Sequence, residues 1–500
     1  MPAPANRFAQ ERLTPSAIGL AWVLVLLAYL YQGTIPAFNA DDIMQMQNQQ
    51  DTLGILKAGR WGYYFVFGVL MHTDPLPLLS TVLGTVCLVG SAVLAAQILV
   101  FRFAAAALVF ILIASISVYY GDLFSYDSTR LAFPFGNLLA IAGLYGFFRG
   151  QRAAGVVLLA LAPAFYPVAS ELAAAVLVAV AIRRLAWPQG DAQGDTRTLL
   201  SAAAALLASL VLYMLVTRVA YAALGLELNG RTRLDPLAAI HRFHEIVDLF
   251  RTHSIPLLAT AGGRYLPWPI VLCVSGLGVA AAALTILAAY RRRGAAAAAL
   301  AVGLNAALLV TPYALIFASG GNDTPFSPRA LYAFSTIHAV WGATLLDAAL
   351  PVAPVSRRAR ITAIVVAAAA GLIVIASAAR ITEGAFDEYL ASQSDLLATN
   401  RIISRIDTML AQTPDPSLAE IPIAVVAAKP FLAGPRGAVA TSRQSPWSRE
   451  WIFHLVDRRF RWVTGDAWFA AQQAAQSHGD WPAADSVFWR DGVVVVVINK

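Results

Sequence analysis

The sequence predicts a polytopic α-helical membrane protein that carries a small α/β domain outside the membrane at its C-terminal end. Three observations carry that prediction. The 500 residues are 58% hydrophobic and 13% charged, with a mean hydropathy of +0.64, far more apolar sequence than soluble cores use. Apolar runs able to cross about 30 Å of hydrocarbon recur as far as Ala379. After residue 380 the pattern changes to an amphipathic helix and short β-branched runs among Gly-, Pro- and Trp-containing loops.

Residues 1–16 are polar and carry Arg7 and Arg12. Ala17–Ile35 follows as the first span, and with no clear small-residue cleavage site before Asp41 it reads as an uncleaved helix. Next come Phe38–Tyr64, with Asp41 and Asp42, Lys57, and Gly59-Arg60-Trp61 in a stretch too short to fold alone. Ile43, Met46, Leu53 and Leu56 suit a helix lying in the membrane interface, and Trp61–Met71 suits a second one, only about half a span long. Further apolar segments are Leu76–Val100, Phe103–Tyr119, Leu131–Phe148, Ala153–Tyr166, Val168–Ile182, Leu199–Leu224, Trp268–Tyr290, Ala295–Ala318, Ala330–Leu350 and Ile361–Ala379, which makes about eleven spans in all. Pro163 and Pro167 leave Ala153–Ile182 open to two readings, one kinked helix or two. Two helices put Arg102, Arg149/Arg152, Arg183/Arg184, Arg291–Arg293 and Arg357/Arg358/Arg360 on one side with Arg7 and Arg12, the cytoplasmic side by the positive-inside rule. The N-terminus is then inside, the C-terminus outside, and the Asp41 loop faces the periplasm or exterior. Of the outer loops, the longest contains Leu237, Ile240, Phe243, Val247 and Phe250 at helical spacing, a third interfacial helix. The chain divides into a membrane domain, 1–380, and a soluble domain, 381–500, whose helix Glu383–Leu410 precedes strands Ile421–Ala427 and Val493–Ile498.

Charge and cysteine usage narrow the chemistry. The formal net charge is +7, but the arginines sit in short clusters between apolar runs, which is loop charge at a membrane and not a nucleic-acid stripe. Cys87 and Cys273 both lie in apolar segments, so neither a disulfide framework nor a Cys-based metal site is expected. No Walker loop, zinc-protease motif or nucleophile elbow is present.

The outer loops hold the candidate site residues. Asp41 and Asp42 can serve as general base, metal ligand or hydroxyl acceptor, and Arg60 can pair bidentately with a phosphate. A capped, solvated loop is the plain alternative. Tyr126 and Asp127, in Ser125-Tyr126-Asp127-Ser128-Thr129-Arg130, are of the types that bind sugar hydroxyls, or else Asp127 or Ser128 caps the next helix. Glu171, one turn inside its span, is costly if it faces lipid and belongs in a polar cavity. Arg329, after Ser327-Pro328, and Arg264, in Gly262-Gly263-Arg264-Tyr265, are outer arginines that suit a phosphate or else snorkel to headgroups. Trp447, Trp451, Trp462 and Trp468 in the tail either bind glycan or fill its core.

This order of parts resembles the glucosyl transferase II family of bacterial O-antigen-modifying enzymes, within the GT-C class of polytopic glycosyltransferases. The residues that carry the resemblance are Asn39-Ala40-Asp41-Asp42, Gly59-Arg60-Trp61, Ser327-Pro328-Arg329, and the closing stretch from Trp481-Pro482 to Asp491-Gly492-Val493. It implies a GT-C-like membrane domain and an enzyme of the bacterial inner membrane that moves a sugar, glucose by the family's name, from a polyprenyl-phosphate carrier to a lipid-linked glycan or lipopolysaccharide outside. Asp41 or Asp42 would be the base in an inverting displacement, Arg60, Arg329 and Arg264 the phosphate partners, and Trp61, Tyr126, Asp127 and Glu171 the sugar or acceptor contacts. A divalent metal such as Mg or Mn is a second source of charge stabilisation. The chain departs from the family pattern at Tyr166-Pro167, where Tyr-Gln is expected, so no role is carried to that position. A transporter or lipid flippase without covalent chemistry is the alternative; it would place its polar groups near the bilayer midplane in matching halves.

Overall fold

The structure, a computed structural model, describes residues 13–35, 37, 54–74, 76–188, 192–227, 266–314, 331–350, 357–412, 419–427 and 451–499. Helix α1 (Pro15–Thr34) starts on Thr14, whose hydroxyl accepts from the Ala17 amide. After residues 54–60 the short helix α2 (Trp61–Tyr64) runs into a π-helical turn, Phe65–Leu70. Its exposed Phe65, Val69 and Leu70 suit the interfacial placement expected from the sequence. The bundle is completed by α3 (Pro77–Leu99), α4 (Ala104–Ser115), α5 (Val118–Phe124), α6 (Thr129–Phe148), α7 (Arg152–Phe165), α8 (Val168–Ala186), α9 (Ala192–Leu224), α10 (Trp268–Arg293), α11 (Ala295–Val310), α12 (Ala333–Ala349) and α13 (Arg357–Leu410). Among the described residues seven helices are long and apolar enough to cross a membrane, or eight if α4 and α5 form one bent span. The protein is a multi-pass membrane protein.

Three local outcomes differ from the sequence reading or decide it. Ala153–Ile182 is two helices, since Tyr166 is extended and Pro167 starts a new turn; Pro163 is absorbed inside α7. The span expected at Phe103–Tyr119 breaks at Ile116–Ser117 with a bend of 45°, so Tyr119, Tyr120 and Asp122 lie on helix α5 and not in a loop. The break is tolerated because α1 supplies its missing partners: the Tyr29 hydroxyl donates to the carbonyls of Ser115 (2.9 Å) and Ser117 (3.2 Å), and the Gln32 amide donates to the Gly121 carbonyl (3.0 Å). The segments Ile361–Ala379 and Glu383–Leu410 are one helix of 54 residues, about 80 Å long. The change from apolar to amphipathic composition near residue 380 therefore marks a change of surroundings along α13, and the expected domain boundary falls inside it.

Residues after α13 form an α/β unit. Strands β1 (Ile421–Ala427), β2 (Phe460–Trp462), β3 (Val487–Arg490) and β4 (Val493–Asn499) make a sheet of order β2-β1-β4-β3, with β1 parallel to β2 and β4 and a β3–β4 hairpin. Alternation sends Ile421, Ile423, Val425, Val494 and Val496 to the face covered by Ile402 and Ile406 of α13 and by α14 (Trp451–Val456). Ala424, Val426, Val495 and Val497 face α15 (Asp466–Ala475). Trp462 and Trp468 flank these cores, which favours packing over glycan binding; Trp447 lies outside the described residues.

At the end of the bundle where α8 and α12 finish, Asp347 joins three helices. Its carboxylate pairs with the buried Arg183 guanidinium at 3.0 Å and accepts from the backbone amide of Arg102 at 2.8 Å. Arg183 also donates to the Leu99 carbonyl (3.0 Å) and the Val100 carbonyl (3.2 Å), which fixes the left-handed turn at Val100 (φ 55°). Replacing Asp347 by alanine leaves a buried cation with neutral acceptors only, and is expected to destabilise the bundle by about 3 kcal/mol. Thermal unfolding in detergent measures this; an unchanged midpoint would show that the pair contributes nothing.

Candidate active site

The opposite end of α8 and α12 gathers the sequence-predicted residues that the structure describes. Residues 54–60 close on a tight corner: the Gly59 amide donates to the Leu56 carbonyl (2.8 Å) and the Arg60 amide to the Ile55 carbonyl (3.2 Å). Gly59 sits at φ 77°, a conformation that a residue with a Cβ resists. Helix α9 holds this corner from the side. Tyr213 donates its hydroxyl to the Gly59 carbonyl at 2.9 Å, Trp61 donates its indole N–H to Thr217 at 3.2 Å, and Tyr221 donates to the Leu56 carbonyl. Positions 213, 217 and 221 recur every four residues, so one face of α9 carries all three.

The Arg60 side chain is thereby directed over an aromatic stack. Phe133 of α6 and Tyr166 of the α7–α8 turn lie face to face, with centroids 4.0 Å apart and planes 5° from parallel. The Arg60 guanidinium carbon is 5.0 Å from the Tyr166 centroid and 5.8 Å from that of Phe133, a cation–π arrangement. Its buried Nε has no hydrogen-bond acceptor among the described residues. A guanidinium held by rings spends no donor on them and keeps its N–H groups for an anion. Gly62 permits the approach, since a Cβ there would come within 2.8 Å of the Phe165 ring.

Glu171 lies in the first turn of α8 and is 3% exposed. It follows Tyr166 closely along the chain, the Ala169 amide donating to the Tyr166 carbonyl at 3.0 Å as α8 begins. Tyr332 is 6.1 Å from Tyr166 between ring centroids, so the carboxylate, the aromatic stack and Arg60 belong to one neighbourhood.

Asp127 and Tyr126 are placed differently. Asp127 is buried in an ion pair with Arg130 at 2.5 Å, and Arg130 also donates to the Phe124 carbonyl at 2.5 Å. Burial pushes the Asp127 carboxyl up, and the Arg130 guanidinium opposes it. The pair braces the start of α6 where Gly84 of α3 presses in, a Cβ at Gly84 falling 2.1 Å from the Arg130 carbonyl oxygen. Half-buried Tyr126 lies in the same turn, its carbonyl accepting from the Thr129 amide at 3.1 Å. Asp41, Asp42, Arg264 and Arg329 lie outside the described residues; Arg329 stands three positions before Tyr332 in the chain. Among the described residues no three His, Cys, Asp or Glu side chains come together to hold a metal.

Phe133, Asn137, Tyr213, Thr217 and Tyr332 are not among the residues that the sequence singles out. Two signals point toward them: two tyrosines eight residues apart with Thr217 midway between them in a hydrophobic helix, and a lone asparagine, Asn137, within an apolar span.

Fold and site define a multi-pass membrane protein with a cation, a carboxylate and an aromatic platform gathered at one end of its bundle. The profile of the glucosyl transferase GtrII family matches residues 30–340, more than half of the chain, and the chain belongs to that family. It is a membrane glycosyltransferase, which answers the alternative of a transporter. No curated protein matches the chain. Among solved structures, the crystal structure of ArnT from Cupriavidus metallidurans bound to undecaprenyl phosphate is similar over 92% of this chain and 87% of that one, with 12% sequence identity and a TM-score of 0.42.

The clamp from α9 yields a test of how Arg60 is placed. Tyr213→Phe removes one hydrogen bond worth about 1 kcal/mol, so transfer is expected to fall roughly fivefold with unfolding unchanged. Unchanged kinetics would show that the corner holds without α9.

Proposed function

We propose that the protein transfers a glucosyl group from a polyprenyl-phosphate donor to a lipid-linked glycan or lipopolysaccharide O-antigen on the periplasmic face of the bacterial inner membrane. The observation that carries this reading is the Arg60 guanidinium, held over Tyr166 with a buried Nε that has no acceptor among the described residues, at the end of the bundle where Glu171 begins α8. A lipid phosphate cannot leave the bilayer, so its sugar must be met at the interface, where α2 and its π-helical extension present an apolar flank. The acceptor oxygen attacks the anomeric carbon, the bond to the phosphate oxygen breaks, and the lipid phosphate leaves with the electron pair. Asp41 or Asp42 takes the acceptor proton. Arg60, with Arg329 and Arg264 as further cations, offsets the charge developing on the leaving phosphate. Attack opposite the leaving group inverts the anomeric centre. Trp61 and Glu171 contact the sugar, Tyr126 and Asp127 lie at the acceptor side, and residues 381–500 form the periplasmic unit beyond the catalytic membrane domain, 1–380. A divalent ion would supply further charge stabilisation if the donor phosphate and the Asp41–Asp42 pair shared it.

Orientation follows from charge. Arg149, Arg152 and Arg184 lie against the Tyr145, Phe147 and Phe148 rings and, like Arg102 and Arg183, stand at helix ends, as a cytoplasmic rim requires. Glu171 and Arg183 are separated by about 18 Å along α8, which sets the site toward the opposite face, with the N-terminus cytoplasmic and the C-terminus periplasmic.

The test is transfer by the purified protein in nanodiscs, offered polyprenyl-phosphate-glucose or UDP-glucose with an O-antigen lipopolysaccharide fraction. Product from the lipid donor alone is expected. Product from the nucleotide sugar alone would overturn the donor assignment, and transfer of another sugar from its lipid phosphate would overturn only the choice of glucose.

A further inference from the structure

Next to the Arg60 platform Tyr120, Asn137, Tyr332 and Ser335 form a hydrogen-bond circuit that links α5, α6 and the start of α12. The Tyr332 hydroxyl donates to Asn137 Oδ1 at 2.5 Å, and Asn137 Nδ2 donates to the Tyr120 hydroxyl at 3.3 Å. At the other end the Ser335 hydroxyl donates to the Tyr332 carbonyl at 2.6 Å. Asn137 and Tyr332 are fully buried and Tyr120 is 2% exposed, so neither water nor substrate reaches these groups directly. The Tyr120 and Tyr332 rings also stack, 5.1 Å apart and 23° from parallel.

The circuit adjoins the site on two sides. Asn137 lies one turn after Phe133 on α6, and Phe133 is one of the two stacked rings that meet Arg60. Tyr332 lies against Tyr166, the other ring. Tyr166 opens the turn into α8, its carbonyl accepting from the Ala169 amide at 3.0 Å, and Glu171 lies in the first turn of that helix. A fully satisfied polar network in a low-dielectric core holds its members in one arrangement. We propose that the Tyr332–Asn137–Tyr120–Ser335 circuit positions Tyr166 and Glu171 for sugar transfer, with Asn137 as its central positioning residue. This rests on the glucosyl-transfer reading of the Arg60–Glu171 site.

Two measurements on the full-length protein in nanodiscs test it. In the first, transfer from polyprenyl-phosphate-glucose is followed for Asn137→Leu, Tyr332→Phe and the double variant. Each single variant is expected to lower kcat about tenfold while KM for the lipid donor stays within about twofold, since misplacement acts on the reacting geometry more than on lipid capture. The double variant should be no worse than Asn137→Leu, because the two residues act as one unit. In the second, carbodiimide labelling of Glu171, read by mass spectrometry, should rise at least about fivefold in Asn137→Leu as the carboxylate is released. This readout needs no turnover, so it tests the circuit even where the donor assignment fails. Unchanged labelling overturns the proposal, and so does a kcat loss that is additive in the double variant or that parallels loss of folded protein. If Asn137→Leu does not fold, Ser335→Ala opens the circuit from its other end and the same two outcomes decide.

Discussion

Arg60→Ala is expected to reduce glucosyl transfer by about 10²–10³-fold, as loss of a preorganised group facing developing charge does. The effect should appear in kcat and in the apparent affinity for the lipid donor together, because the guanidinium meets the phosphate before and during departure. The fold should survive. Arg60 is half-buried, its Nε has no partner among the described residues, and the corner is held by backbone bonds and by α9. Arg60→Lys is expected to recover only part of the loss, since an ammonium lacks the planar fork and stacks poorly on Tyr166. Binding of undecaprenyl phosphate, measured beside transfer, separates the contributions: a variant that binds and transfers within about threefold of wild type would remove Arg60 from the site.

Of Asp41→Asn and Asp42→Asn, at least one is expected to lower transfer by about 10²–10⁴-fold, the range that a positioned general base contributes. Asparagine keeps the volume and loses the basic oxygen, so expression and unfolding should match wild type. The pH profile gives a second check with a definite sign. A base works deprotonated, so the wild-type rate should rise as pH climbs through the carboxylate range, near 4 for an unperturbed aspartate, and the residual rate of the inactive variant should lose that limb. Full activity in both variants would end the catalytic assignment.

Much of the layout is legible in the residues themselves. The apolar runs locate the helices because a span's composition is dictated by lipid whatever its neighbours are. Tyr166-Pro167 divides Ala153–Ile182 because an extended residue before proline ends a helix. Strand Ile421–Ala427 is legible to the residue because its β-branched run is bounded by turn formers. Other features are not. Nothing local in Ile116-Ser117 announces a break; the backbone leaves the helix there because Tyr29, 86 residues away, offers its hydroxyl to the Ser115 carbonyl. The shift in composition near residue 380 is legible because polar periodicity replaces apolar sequence, but that a single helix, α13, carries the chain through it is not. Asp127 is read from its residue type as a sugar contact, and the ion pair it makes with Arg130 becomes visible only when the α6 turn brings the two together.

Composition, spacing and local residue type are displayed directly by a linear chain. They are enough to make this a multi-pass membrane protein, to place Gly59-Arg60-Trp61 after the first helix and Glu171 inside a span, and to carry the family to which the chain belongs. The aromatic platform under Arg60, the α9 clamp on Gly59 and the circuit through Asn137 exist only in the folded molecule. Each joins residues from different helices, and which faces of those helices meet depends on packing across the bundle.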